Sequence, residues 1–337
     1  MNFQTLRTVE RAKTYLDIAF KRARKLDKPK FTGSKDKVTN IKSFEYSRLK
    51  TASTELVRQL DKIITSFPSI DELPEFYSEL VRITVDYVRI KKSLAAVKWA
   101  RTKVDNLSRK YLIEIRKSRN IEQVKTKKRQ FYGRVSSVVK QIDENLAYIE
   151  ETRKIMKNFP AIKTSVYTVA ITGFPNVGKS SLLKKLTGAN PQIKNYAFTT
   201  KSLNMGYMDG KEFQFIDTPG TLDREHMNII EKQAYLAIKL VADLIIFLID
   251  PTESCGYKLK KQLELLKNVK KFNKPTIIVY TKYDMYEKLG IQEQETKELI
   301  HAKDEKIHYV SVKNNNGIKD LTRLIKDNKT NCKKENN

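Results

Sequence analysis

Apolar residues recur along the first half of the chain at alternating steps of four and three. Phe76, Leu80, Ile83, Tyr87, Ile90, Leu94 and Val97 form one such stripe, which lapses at Arg101 and resumes at Val104, Leu107, Tyr111 and Ile115. This spacing lines one face of a packed helix. From Glu75 to Tyr132 there is neither Gly nor Pro, and a second glycine-free run, Arg134 to Phe159, carries the pattern on to Pro160. The pattern predicts an antiparallel bundle of long helices. Trp99, set within the stripe, reads as core.

Beyond Pro160 the pattern changes. Val166–Thr172, Phe213–Asp217, Leu244–Asp250, Thr276–Thr281 and Ile307–Ser311 are apolar and rich in β-branched or aromatic residues, as strands covered on both faces are. Helix-like segments such as Tyr257–Lys271 lie between them. Alternating strand and helix predicts a mostly parallel, doubly wound sheet. Leu203–Met208, followed by Asp209-Gly210, reads as a further strand in a hairpin with Phe213. Glycine follows the same division: only Gly33 and Gly133 precede residue 166. The expected organisation is a helical domain over 1–160, a second domain over 166–326, and a polar tail over 327–337.

The second domain carries the chemistry. Gly173-Phe174-Pro175-Asn176-Val177-Gly178-Lys179-Ser180 is a G-x-x-x-x-G-K-S loop directly after a strand and before a helix. Glycines let the backbone N–H groups of such a loop, Val177 and Ser181 included, curl around phosphate. The following helix turns the positive end of its dipole to the anion. Lys179 supplies a point charge and Ser180 a hydroxyl for Mg²⁺. Asp217-Thr218-Pro219-Gly220 ends a strand 38 residues after Lys179; there Asp217 holds Mg²⁺ through water and the Gly220 N–H meets the γ-phosphate. Thr281-Lys282-Tyr283-Asp284 ends a later strand, where an aspartate accepts two hydrogen bonds from guanine that adenine cannot supply in that pattern. Ser311-Val312-Lys313 ends the next strand, where a backbone N–H reaches the guanine carbonyl. Between loop and Asp217, Tyr196-Ala197-Phe198-Thr199-Thr200 offers two hydroxyls for the metal. Four motifs in this order, each at a strand's carboxyl end, point to the edge where open α/β sheets bind ligands.

The arrangement resembles the GTPases related to Ras and to translation factors. Within them, YAFTTKSL at 196–203, DTPGTLDR at 217–224, SCG at 254–256 and FPSIDELPEFYSELV at 67–81 resemble the nucleolar GTP-binding protein family, neighbour of the Obg and DRG families. The likeness covers about residues 5–325, and the length suits an archaeal-type member. It implies a P-loop GTPase acting in assembly of the large ribosomal subunit, with the helical domain on ribosomal RNA. Lys179, Thr200 and Gly220 are the implied catalytic groups, and the second hydroxyl of the pair, Thr200, is the implied Mg²⁺ ligand. Thr281 departs from the family's usual Asn, which weakens a loop-bracing contact and spares Asp284. Asn176 admits two readings, a seat for K⁺ against the phosphates or a local loop brace. Thr221 stands where Ras-like enzymes place a water-orienting Gln, so slow intrinsic turnover is expected. His226, the nearest histidine, reads as a surface residue rather than a base.

Charge adds a partner. Lys and Arg number 66 against 39 Asp and Glu, a net of +27, of which +19 falls in residues 1–165. An excess this large attracts polyanions, nucleic acid foremost. Its densest clusters are Lys21–Lys25 and Lys125–Arg129. Cys255 and Cys332, far apart, form neither a disulfide framework nor a zinc spacing. With no apolar run of bilayer length, the sequence reads as a cytoplasmic, monomeric protein without a membrane partner. Two other functions fit the nucleotide motifs alone: an Obg- or DRG-like GTPase in translation or stress signalling, and a nucleotide-binding scaffold with negligible turnover.

Overall fold

The computed structural model describes residues 3–27, 37–188, 192–195, 202–218, 229–291 and 307–335. The chain divides into two compact units: Asn2–Leu73 with Val85–Lys157, and Pro74–Thr84 with Asn158–Asn337.

The first unit is the predicted bundle. Its helices are α1 (Ala12–Arg24), α2 (Lys37–Ser66), then α4 (Tyr87–Lys117), α5 (Ile121–Gln141) and α6 (Asp143–Lys157), while α3 (Glu75–Thr84) falls in the second unit. Side-chain pairs fix the directions. Arg101 meets Asp61, Ser108 meets Ser53, and the Lys42 ammonium donates to the Arg116 carbonyl, so α2 and α4 run antiparallel. Ile90, Val97, Val104, Tyr111 and Ile115 are buried on α4 against Leu49, Leu56 and Leu60 of α2 and Phe131 and Val135 of α5. The lapse at Arg101 does not interrupt the helix: Ala100 is buried beside it, and Arg101 pairs with Asp61. The stripe does break at Val85–Asp86, where the Asp86 carboxylate accepts from the Arg89 N–H and caps α4. Asn120 caps α5 in the same way. Trp99 departs from its sequence reading: it is 42% exposed. It sits two residues from buried Val97, which puts it on the opposite side of the helix.

The second unit contains a seven-stranded sheet: β1 (Tyr167–Thr172), β2 (Gln192–Asn195), β3 (Ser202–Met208), β4 (Phe213–Asp217), β5 (Leu244–Ile249), β6 (Thr276–Tyr280) and β7 (Ile307–Tyr309). Its order is β2-β3-β4-β1-β5-β6-β7, with β4-β1-β5-β6-β7 parallel and β2-β3-β4 antiparallel. β2 has no counterpart in the sequence reading. Alternate strand residues feed two cores. Val169, Ile171, Phe215, Ile246 and Val279 pack with α7 (Lys179–Thr187) and with Leu321 and Ile325 of a C-terminal helix that begins at Ile318. Ala170, Ile245, Phe247, Ile249 and Ile278 pack with α8 (Ile229–Leu240) and α9 (Leu259–Lys270). This two-sided cover is the predicted doubly wound architecture.

α3 (Glu75–Thr84) belongs to this second unit, inside the span read as helical domain. It packs against α8. Phe76, Tyr77, Leu80 and Val81 are buried, and the Tyr77 hydroxyl lies 2.9 Å from the Pro160 carbonyl and 2.8 Å from that of Ile162. Among the described residues no helix is long and apolar enough to cross a membrane.

Candidate functional site

The site forms where β1 ends and the chain's direction of travel through the sheet reverses. Gly173 follows β1 at φ 140°, where a Cβ would stand 2.6 Å from the Leu248 carbonyl oxygen of β5. Only glycine lets the loop leave the sheet this close to its neighbour. Asn176 and Gly178 also take positive φ, 63° and 103°. Val177 is buried in the core beneath the loop, and Gly178 caps α7. The loop therefore curls, with Lys179, Ser180 and Ser181 forming the first turn of α7. Lys179 is buried, and its ammonium donates to the Phe174 carbonyl at 2.7 Å, spanning the loop. Burial pulls its pKa below the usual lysine range, and the Asp217 carboxylate pulls the other way. Asn176 is exposed and makes no side-chain hydrogen bond among the described residues.

Asp217, at the end of β4, is buried. Its Oδ2 accepts from the Ser180 hydroxyl at 2.5 Å and from the Asn204 amide at 3.0 Å. Asn204 was missed in the sequence; it faces Asp217 across the β3–β4 ladder, a register that only strand pairing reveals. A hydroxyl beside a single carboxylate is a hard oxygen donor set, which fits Mg²⁺. Among the described residues no group of three or more His, Cys, Asp and Glu could hold a metal. Thr200 and Gly220 lie outside the described residues, as do Thr221 and His226.

The second cluster lies at the ends of β6 and β7. A cleft of about 440 Å³ is lined by Tyr283, Asp284, Tyr286, Glu287, Ser311 and Asn314 among others. The buried Ser311 hydroxyl donates to Asp284 Oδ1 at 2.6 Å and orients the carboxylate. Val312 packs on the core while Lys313 is exposed. Thr281, in place of the usual Asn, donates its hydroxyl to the Ile249 carbonyl at 3.1 Å. Lys282, at φ 58°, donates to Asp250 Oδ2 at 2.7 Å and to the Ser254 hydroxyl at 2.8 Å.

Asp250 is the larger omission of the sequence reading. Fully buried at the end of β5, it accepts from Lys282, from the Thr252 N–H and hydroxyl, from the Ser254 hydroxyl and from the Cys255 N–H. Burial alone pushes its carboxyl up; the Lys282 ammonium and the Thr252 hydroxyl outweigh this and hold it below the usual carboxylate range. Gln262 of α9 clamps the same loop, bonding the Asp250 N–H and carbonyl and the Tyr257 carbonyl. Tyr257 in turn stacks on Phe174, ring centres 4.3 Å apart. The 250–257 loop thus joins the phosphate loop to the cleft around Asp284. The signal available was SCG at 254–256, read only as a likeness.

Comparisons with known proteins fit this geometry. Residues 3–163 match the model of the NOG1 N-terminal helical domain, and 168–282 match that of the 50S ribosome-binding GTPase. An uncharacterized protein of Methanocaldococcus jannaschii is 42% identical over 72% of this chain and 69% of its own. The chain belongs to the nucleolar GTP-binding protein family. Nucleolar GTP-binding protein 1 of Arabidopsis thaliana is 33% identical over 90% of this chain and 46% of its own. The chain spans about half the length of the curated family relatives of that name. The Plasmodium falciparum structure described as nucleolar GTP-binding protein 1 is 30% identical over 53% of this chain and 93% of that one, with a TM-score of 0.44. Family membership brings a GTPase domain: binding of GTP and GDP with Mg²⁺, and GTP hydrolysis in general.

Proposed function

We propose that this protein is a slow GTPase switch in assembly of the large ribosomal subunit, its helical unit meeting ribosomal RNA. One observation supports the nucleotide half best: a curled loop with a buried lysine and a cleft centred on Asp284 stand at the same sheet edge, bridged by the 250–257 loop. The ribosomal half draws on the description of the matched GTPase model and on the relatives' nucleolar name. The excess positive charge of residues 1–165 points the same way.

In this reading the N–H groups of Asn176 to Ser181 and the Lys179 ammonium take the phosphates. Ser180, Thr200 and, through water, Asp217 would hold Mg²⁺, and the ion would supply charge neutralisation at the phosphates. Asn204 fixes the Asp217 carboxylate. Asp284 takes the guanine edge, with Ser311 holding it; Thr281 and Lys282 position its loop, and the backbone at Val312–Lys313 closes the base pocket. The Gly220 N–H meets the γ-phosphate. With Thr221 beside it, too short to orient water, turnover waits for the particle. The Asn176 amide, exposed and without a hydrogen-bond partner among the described residues, is the candidate seat for K⁺.

Asp284→Asn tests the base site. Losing two hydrogen bonds to a charged group costs about 3 kcal/mol, roughly a hundredfold in GTP affinity. Xanthine nucleotides, whose ring reverses the donor pattern, should bind instead. Retained GTP preference would refute the placement. Turnover faster in KCl than NaCl, with the difference erased in Asn176→Ala, tests the K⁺ seat. Copurification with large-subunit precursors in GTP and not in GDP, with crosslinked RNA sequenced, tests the ribosomal role.

A further inference from the structure

The densest basic clusters of the helical unit are partly spoken for. Lys128 pairs with Glu45 at 2.7 Å, Lys127 with Glu114 at 3.0 Å, and Arg22 with Glu55 at 2.5 Å. The outward line of α4 differs. The two acidic side chains within this helix, Asp105 and Glu114, are 30% and 27% exposed, and both are ion-paired. Lys92, Trp99, Lys103, Lys110 and Lys117 lie within about 40° of one another on the helix circumference. Lys92, Lys103 and Lys117 have no ion-pair partner among the described residues, and Lys110 stands 3.9 Å from a Glu114 that Lys127 already engages. The nearby acids Asp71 and Asp105 are paired with Lys91 and Arg109.

Apolar exposure concentrates on the same line. Of the five large apolar side chains exposed among the described residues, Val88, Trp99 and Ile113 are here. Trp99 makes no ring or cation contact among the described residues. A single exposed apolar side chain is ordinary on a protein surface; what distinguishes Trp99, 42% exposed, is its place on a line of lysines, three of them without ion-pair partners among the described residues. These three side chains stand about 16 and 21 Å apart along the axis, with lysines between, so they cannot merge into one membrane-inserting face. A chain of alternating phosphates and bases matches them: lysines take phosphates, and the indole takes the face of a base of any sequence.

We infer that the outward face of α4 binds single-stranded RNA, with one unpaired base stacked on Trp99 and the backbone running along Lys92, Lys103, Lys110 and Lys117. The inference rests on the RNA-binding reading above and specifies its place and the form of RNA.

The chain has a single tryptophan, so its emission reports on this position alone. With the full-length protein saturated with GDP and Mg²⁺, titration with a 15-nucleotide oligouridylate should quench that emission saturably, and a duplex of equal length should not. Trp99→Ala should weaken oligouridylate binding about tenfold, with Trp99→Phe recovering most of the loss. Changing the four lysines to Gln should lower the slope of log affinity against log salt by up to about 2.8. If labelled RNA binds by anisotropy while emission stays constant and Trp99→Ala keeps full affinity, the α4 site is wrong and RNA binding by the helical unit stands. If neither single-stranded nor duplex RNA binds, both readings fall. Quenching by polyglutamate and not by RNA would overturn the inference in favour of an acidic protein partner.

Discussion

The two units of this protein treat their backbones in opposite ways. Among the described residues, every residue with positive φ lies after position 172, and the helical unit has none. Six of those fourteen residues stand at the candidate site: Gly173, Asn176 and Gly178 in the phosphate loop, Glu253 and Gly256 in the bridging loop, Lys282 beside the cleft. Each unit also buries a carboxylate. Glu55 of α2 is met by exposed Arg22 and Arg58 and by Gln59, all donating from helices that would form without it. Asp250 is met mainly by donors of its own irregular loop and by a lysine 32 residues away. In the bundle, polar contacts decorate a structure that apolar periodicity already sets. In the GTPase unit they hold a backbone that would not otherwise stay in place.

Gly173→Ala should break this contrast hardest. A Cβ 2.6 Å from the Leu248 oxygen at φ 140° forces the loop off β5. A loss of at least about 3 kcal/mol is expected, read by denaturant melts, with nucleotide binding abolished by calorimetry. Asp250→Asn comes next, because the new amide faces N–H donors and leaves half-buried Lys282 unpaired. It should cost about 3 kcal/mol and weaken GTP more than tenfold, although Asp250 lines no part of the cleft. Its pH dependence carries a sign. Asp250 is held below its ordinary value, so its stabilisation is complete above about pH 4 and lost as pH falls through the lower folded value. The gap in Tm between wild type and Asp250→Asn should therefore close in acid.

Glu55→Gln should cost less, about 1–2 kcal/mol, because Arg22 and Arg58 are exposed and return to water. Thermal melts should show that loss with GTP affinity unchanged. The smallest effect has the opposite sign. Gly133 is exposed in α5, with nothing within 4 Å of the methyl that alanine would add, so Gly133→Ala should stabilise the protein by about 0.5–1 kcal/mol in the same melts. If both glycine variants destabilised equally, the distinction between the two backbones would be lost.

Much of the candidate site was legible in the sequence because each motif is contiguous and its spacing reflects local geometry. The phosphate loop needs glycines at fixed offsets from Lys179, and each motif closes a short apolar run that reads as a strand. The bundle was legible for a similar reason, since the Ile90–Val97–Val104–Tyr111 line states its own period. Trp99 shows the limit of that reading. Its phase, about 200° from Val97, is present in the sequence, but an indole's hydrophobicity by itself points to the core.

The sequence alone thus determined the order of the units, the loop chemistry and the apolar period, all of which depend on neighbours within a few residues. Tertiary structure decided the rest. The sheet register set Asn204 opposite Asp217, and the adjacency of β5 and β6 brought Asp250 to Lys282. Packing set Glu75–Thr84 against α8. Such pairings span from 13 residues, for Asn204 and Asp217, to well over a hundred, and many registers satisfy the same local pattern. Only the joint burial of both sheet faces selects one of them.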